Sequence, residues 1–314
     1  MLRRSLPAVD PALAPEQGFA RNGQPLSYNR APAADLAPWI GRVYVTRVAA
    51  PAGYTLSCGL FSDTAHLRIQ IEGRWTARDA DGEHTFEKAA LFLGPQTHRM
   101  PITVTGSFTS VGISFRPGAC TAMQGPRIGD FVDRLVSTNA VSIPSECYVA
   151  MVAPDAPPEE WLQRLEQTFR QRIQQMNCPP PDPIAARFET ISYRNPSITV
   201  ADAARECGVE RRMLERVVNR DFGMSPKQVL RRARALDMAS YLRGVVDADE
   251  ADEIALRYYD ESHLIHEFTE LFGMSPSQFV KRPQPILTLA LESRQARRLE
   301  TLKRLEPGQA RPWQ

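Results

Sequence analysis

His66-Leu67-Arg68-Ile69-Gln70-Ile71-Glu72 alternates polar and apolar residues without interruption. A period of two belongs to a strand with one buried face, so the run predicts a strand. Val43 to Val48, Tyr54 to Leu60, Phe86 to Leu93 and Phe108 to Phe115 are shorter or rougher versions of it. Asp79-Ala80-Asp81-Gly82 predicts a hairpin-type turn, and Gly94-Pro95 and Pro117-Gly118 are further breaks. Short strands at this spacing predict a small antiparallel barrel or sandwich of cupin-like form.

The period then changes. From about Glu159 to Met176, the residues Trp161, Leu162, Leu165, Phe169, Ile173 and Met176 recur at intervals of three and four. That spacing draws one apolar stripe along a helix, suited to packing on the barrel or to dimerisation. Cys178-Pro179-Pro180-Pro181-Asp182-Pro183 follows as a stiff spacer.

Beyond it the chain repeats itself. Phe222-Gly223-Met224-Ser225-Pro226-Lys227-Gln228 returns as Phe272-Gly273-Met274-Ser275-Pro276-Ser277-Gln278, 50 residues later. Gly suits the left-handed end of one helix. Ser then caps the next helix, Pro fits its first turn, and Gln three residues after Ser completes a capping box. The same offset pairs Leu214 with Leu264 and Val218 with Phe268. Ahead of the first copy, Thr199 caps an Ala-rich helix that Gly208 ends, and a second helix is predicted from about Arg211 to Arg220. At 100° per residue, Arg212, Glu215, Arg216 and Asn219 of this helix share an arc of roughly 100°, opposite Leu214, Val217 and Val218. A short helix, a Gly turn and a second helix with an Arg/Asn face form a helix-turn-helix. Arg can read guanine and Asn adenine by two-point hydrogen bonds, and either can hold phosphate. Lys227 to Arg243 is predicted as a long helix linking the copies.

Charge sharpens this division. Residues 184–243 carry 12 basic and 7 acidic side chains, net +5, whereas 244–283 carry 3 and 9, net −6. The tail from 284 to 314 is net +3. The basic block points to DNA, and the acidic one suits a protein partner such as RNA polymerase.

The chain resembles the AraC family of transcription regulators. The resemblance rests on Ala204-x-x-x-Gly208-Val209, Leu214, Gly223-Met224-Ser225-Pro226, Tyr258-Tyr259-Asp260-Glu261-Ser262-His263-Leu264, Phe268 and Gly273-Met274-Ser275-Pro276. It covers about residues 185–283. It implies a seven-helix domain whose two helix-turn-helix units enter successive major grooves, behind a β-rich sensor. Gly112-Ile113-Ser114-Phe115-Arg116-Pro117-Gly118 resembles a recurring patch of that sensor. The second copy departs from the family's pattern. Leu256-Arg257-Tyr258-Tyr259-Asp260 has no Gly at its turn, and Ala255 to Leu264 is one position shorter than Ala204 to Leu214. This predicts that the first copy dominates DNA contact.

The fold class expected is α+β: a β-rich domain over 1–158, a helix and spacer over 159–183, an all-α domain with two helix-turn-helix units over 184–283, and a basic helix or tail over 284–314. The expected DNA contacts are Arg211, Arg212, Glu215, Arg216, Asn219 and Arg220 in the first copy, and Ser262, His266 and Thr269 in the second. No cofactor or metal is expected. His66, His84 and His98 lack His-x-His spacing, and Arg68 stands where a second ligand would be. The five cysteines are scattered and never spaced Cys-x-x-Cys, as in a reducing cytoplasm. No apolar run approaches a membrane span. The expected partners are double-stranded DNA, a small-molecule effector in the β domain, RNA polymerase and a second copy of the chain. The reading is a regulator, activator or repressor, and not an enzyme. The alternatives are a ligand-binding or enzymatic barrel with a degenerate helical domain, and a protein-interaction module.

Overall fold

A computed structural model describes residues 14–15, 28–51, 53–153, 155–246, 251, 254, 261–309 and 311–313, with the side chains of 14–15 and 261–264 outside the description. The strands are β1 (Ala14–Pro15), β2 (Tyr28–Arg30), β3 (Ile40–Ala49), β4 (Thr55–Leu60), β5 (His66–Asp79), β6 (Gly82–Phe86), β7 (Ala89–Leu93), β8 (Met100–Phe115) and β9 (Leu135–Ser137). All pair antiparallel in one sheet of order β1-β3-β8-β5-β7-β9, with β2 on β3, β4 on β8 and β6 on β5.

Asp79 and Gly82 pair across the expected hairpin turn. The Phe86–Leu93 run is not one strand. Phe86 closes β6 against Trp75, and β7 begins at Ala89 against Gln70. The cause lies in β5, whose register against β8 shifts on both sides of Glu72 and whose Gly73 takes φ +81°. A bulge of this kind bends the strand and gives its two halves different partners.

The helices are α1 (Ala119–Ala122), α2 (Ser145–Met151), α3 (Pro158–Gln175), α4 (Pro183–Arg194), α5 (Val200–Cys207), α6 (Arg211–Phe222), α7 (Pro226–Leu242), α8 (Glu261–Phe272), α9 (Pro276–Lys281) and α10 (Pro285–Thr301). Both faces of the sheet are covered. On the outer face, Leu67, Ile69, Val111 and Ile113 pack with Trp161, Leu162, Leu165 and Phe169 of α3. The α3 stripe is therefore spent inside the chain. On the inner face, Leu60, Trp75, Val104 and Phe108 join Leu236 of α7, Phe268 and Phe272 of α8, and Leu287 of α10 in one hydrophobic cluster.

The polar positions in the first half of β5 turn inward, whereas Glu72 is exposed. Arg68 and Gln70 are buried, and His66 and Arg68 line an interior cavity with Arg42, Tyr44, Arg294 and Arg297. This cavity has a volume of only about 50 Å³. Ligand sites generally need on the order of 300 Å³ or more. Helix α10 supplies Leu289, Leu291, Arg294 and Arg297 to its wall, where sequence reasoning looked for an effector.

Burial, reinforced by the Arg68 guanidinium, pushes the His66 imidazole down to about 3. Above pH 6.5 both folded and unfolded chains hold it neutral, and it contributes nothing. As pH falls from 6.5 towards 3, the unfolded chain binds a proton that the folded chain refuses. Stability should then drop by up to about 1.4 kcal/mol per pH unit from this group. Denaturant titrations of parent and His66→Asn between pH 7 and 4.5 check this. The stability difference between the two proteins should change with pH in that direction, and a constant difference would refute it.

Candidate nucleic-acid interface

The first helix-turn-helix is built as its punctuation predicts. The Thr199 hydroxyl accepts from the Asp202 N–H at 3.1 Å and caps α5. Gly208 ends α5 at φ +71°, where the Gly208 and Val209 amides turn back to Arg205 and Ala204. Helix α6 then buries Leu214, Val217, Val218 and Phe222 against Ala203, Ala204 and Cys207 of α5 and Phe188 of α4. Gly223 ends α6 at φ +72°, and Ser225 and Gln228 form both arms of a capping box at α7. Such a cap stabilises a helix start by about 1 kcal/mol.

The second copy repeats α6 as α8, with Ser275 and Gln278 forming the same box at α9. Val218 and Phe268, paired by the repeat, are both fully buried. Phe268 stacks on Phe272 with ring centres 4.1 Å apart, and both rings meet Phe279 edge-on. The short turn from Leu256 to Asp260 lies outside the described residues, as does the side chain of Ser262.

The candidate contacts fall into distinct sets. Arg212, Arg216 and Asn219 are exposed on the outer face of α6, with Glu215 partly exposed beside them. Among the described residues, neither Arg212 nor Arg216 pairs with a carboxylate. Arg216 instead reaches the Met213 sulfur at 2.9 Å. Arg211 is exposed but donates to Glu215 at 2.8 Å, one turn on along the same helix. Arg220 is held differently. Hydrogen bonds from its guanidinium to Asp221 and Asp182 raise its pKa, and they fix it at the base of α6. In the second copy His266 is exposed, whereas the Thr269 hydroxyl donates to the Ile265 carbonyl at 2.6 Å within its own helix.

The net +5 of the first block is not a free basic surface. Arg232 is buried, donating to the Asp63 carbonyl at 2.7 Å and the Gln96 carbonyl at 3.0 Å. Arg243 is buried on the Phe279 and Arg282 carbonyls. Arg231 pairs with Glu270, and Arg234 meets Glu267 at 3.0 Å. Part of the acidic charge of the second copy therefore neutralises the linking helix. Among the described residues, the exposed cations of this block without a carboxylate are Arg212 and Arg216 on α6, Lys227 at the start of α7 and Arg187 on α4, which donates to the Cys207 carbonyl.

Sequence reasoning missed that the β domain braces both recognition helices. Thr121 of α1 donates to Asp221 at 3.0 Å, and a Cβ on Gly223 would lie 2.7 Å from Val132. The Arg99 amide donates to the Leu271 carbonyl at 2.7 Å, and Phe61 meets Phe272 edge-on at 5.1 Å. Both contacts are at the C-terminal ends of α6 and α8. They leave open the N-terminal turn of α6, the part of a recognition helix that enters the major groove in helix-turn-helix proteins.

Comparison with known proteins agrees with this construction. Residues 203–282 match the family model described as a helix-turn-helix domain. The C-terminal region is an AraC-type helix-turn-helix domain. Ahead of this AraC-type domain, residues 28–137 match a domain of unknown function. No curated protein matches the chain. Among solved structures, ToxT from Vibrio cholerae is 11% identical over 76% of this chain and 97% of its own, with a TM-score of 0.46. Its complex with an unsaturated fatty acid is 12% identical over 76% and 93%, with a TM-score of 0.41. The AraC-like transcriptional activator CuxR is 13% identical over 67% and 86%, with a TM-score of 0.28. The case for the AraC-type domain rests on its matched residues and on the geometry of its helices.

Among the described residues no group of three or more His, Cys, Asp or Glu side chains is placed to hold a metal. His84 meets Asp79 at 3.0 Å, and His98 contacts Thr97 and Asp133. No helix of the described residues is long and apolar enough to cross a membrane.

Proposed function

We propose that the protein is a cytoplasmic, sequence-specific transcription regulator that binds double-stranded DNA through α6 and α8 and responds to a small molecule held by its β domain. The observation that carries the reading is the exposed pair Arg212 and Arg216, one turn apart on a braced recognition helix and matched by no carboxylate among the described residues. An arginine one turn from another spans neighbouring base edges or phosphates. Helix α6 leads, because the α8 face offers His266 where α6 offers arginines.

The test uses the full chain. Selection from a random duplex pool should enrich a defined site. Affinity for that site should fall steeply with salt, adding about −0.9 to the log–log slope for each phosphate neutralised. A flat response, or no enrichment at low salt, overturns the reading.

A further inference from the structure

The larger cavity of the β domain is not the interior one. On the outer face of the sheet, a cleft of about 500 Å³ opens between α1, α2, α3 and two 3₁₀ turns, Ile128–Phe131 and Thr138–Val141. That volume lies within the usual range of small-molecule sites, roughly 300–1,000 Å³. The interior cavity lies well below it.

The cleft is apolar at its floor and polar at one end. Phe92, Phe115 and Phe169 form the floor. Arg172 lines the wall, and the one hydrogen bond of its guanidinium among the described residues is a long 3.4 Å approach to the Met123 carbonyl. Its remaining donors are available to an acceptor. Arg127 and Asp130 stand exposed on the rim.

One wall of the cleft also touches the DNA-binding units. The turn Ile128–Phe131 packs on the end of α6, where a Cβ on Gly223 would meet Ile128 at 3.0 Å. Just beyond it, Asp133 accepts from the Thr97 amide at 2.7 Å and donates its own amide to Pro95 at 3.1 Å. That loop continues to Arg99, whose amide holds Leu271 at the end of α8. Residues 128–133 thus connect the cleft wall to the ends of both recognition helices.

We infer that the outer cleft binds a small apolar molecule with one oxyanion head, set against Arg172, and that its occupancy alters DNA affinity by shifting residues 128–133. The regulatory half rests on the proposed DNA-binding function, whereas the binding half does not. Any such coupling is reciprocal, so DNA must alter affinity for the ligand by the same factor.

Two probes test it on the full chain: 8-anilinonaphthalene-1-sulfonate, which carries an oxyanion, and N-phenyl-1-naphthylamine, which lacks one. Fluorescence titration without DNA should show one saturable site for each. Arg172→Gln should weaken the sulfonate by roughly tenfold or more and leave the neutral probe nearly unchanged. Ala140→Trp, which fills the cleft, should weaken both. Retained neutral-probe binding in Arg172→Gln shows that the cleft is still folded. Sulfonate binding indifferent to both substitutions, or absent from the parent, overturns the site. Saturating sulfonate should shift the affinity of the parent for its selected duplex, and this shift should vanish in Ala140→Trp. A bound probe with no shift overturns the coupling. Failure of the parent to bind any duplex defeats the DNA-binding function and leaves the fluorescence result standing.

Discussion

Replacing Arg212 or Arg216 with alanine is expected to weaken binding of the full chain to its selected duplex by about 1–3 kcal/mol each, roughly a tenfold to hundredfold loss. The two guanidiniums sit on successive turns of α6, exposed, while Leu214, Val217 and Val218 anchor the opposite face. Removing either side chain costs the fold little, because neither is held in an ion pair among the described residues. The loss should therefore appear in DNA affinity and not in thermal stability. His266→Ala should cost clearly less, and Thr269→Ala least, since that hydroxyl is already satisfied by Ile265. Binding titrations of the four variants on one site at fixed salt decide the order. Equal or larger losses in α8 would show that the second copy leads.

The largest effect on stability is expected at Glu189. Its carboxylate, 2% exposed, accepts from Arg116 of the β domain at 2.9 Å and from Arg297 of α10. One side chain on α4 thus ties the first helix-turn-helix to the sheet and to the C-terminal helix. Burial holds the Arg297 guanidinium down to about 10, and it is still charged at neutral pH. Glu189→Ala leaves two poorly solvated cations facing each other. Breaking a buried pair from one side costs about 3–5 kcal/mol. Denaturant unfolding at pH 7 should show a loss of that size, and Glu189→Gln an intermediate one. A loss below about 1 kcal/mol would mean that water reaches both guanidiniums.

Local chemistry was legible along the chain. Helix ends announce themselves through capping residues and left-handed glycines, which act over three or four positions. Hence α5 begins and ends, α6 ends, and α7 and α9 begin close to where Thr199, Gly208, Gly223, Ser225, Ser275 and their partners place them. The outer face of α6 was legible for the same reason, because helical geometry alone separates Arg212 and Arg216 from Leu214 and Val218.

What the residues touch at long range was not legible. The alternation of β5 is that of a half-exposed strand, yet His66 and Arg68 on its polar side line an interior cavity with Arg294 and Arg297 of a helix more than 200 residues away. The basic residues of α7 look like a DNA-binding surface, but tertiary contacts turn Arg232 into the sheet and Arg231 onto Glu270. Charge counted along a chain carries no record of which side faces water. The tail from 284 onward has only its composition to describe it, although α10 fills the interior that an effector would need. Periodicity and capping are properties of neighbouring residues, and a sequence displays them directly. Which surfaces meet, and so where cavities remain, depends on how whole elements pack, and for this protein only the tertiary structure decides it.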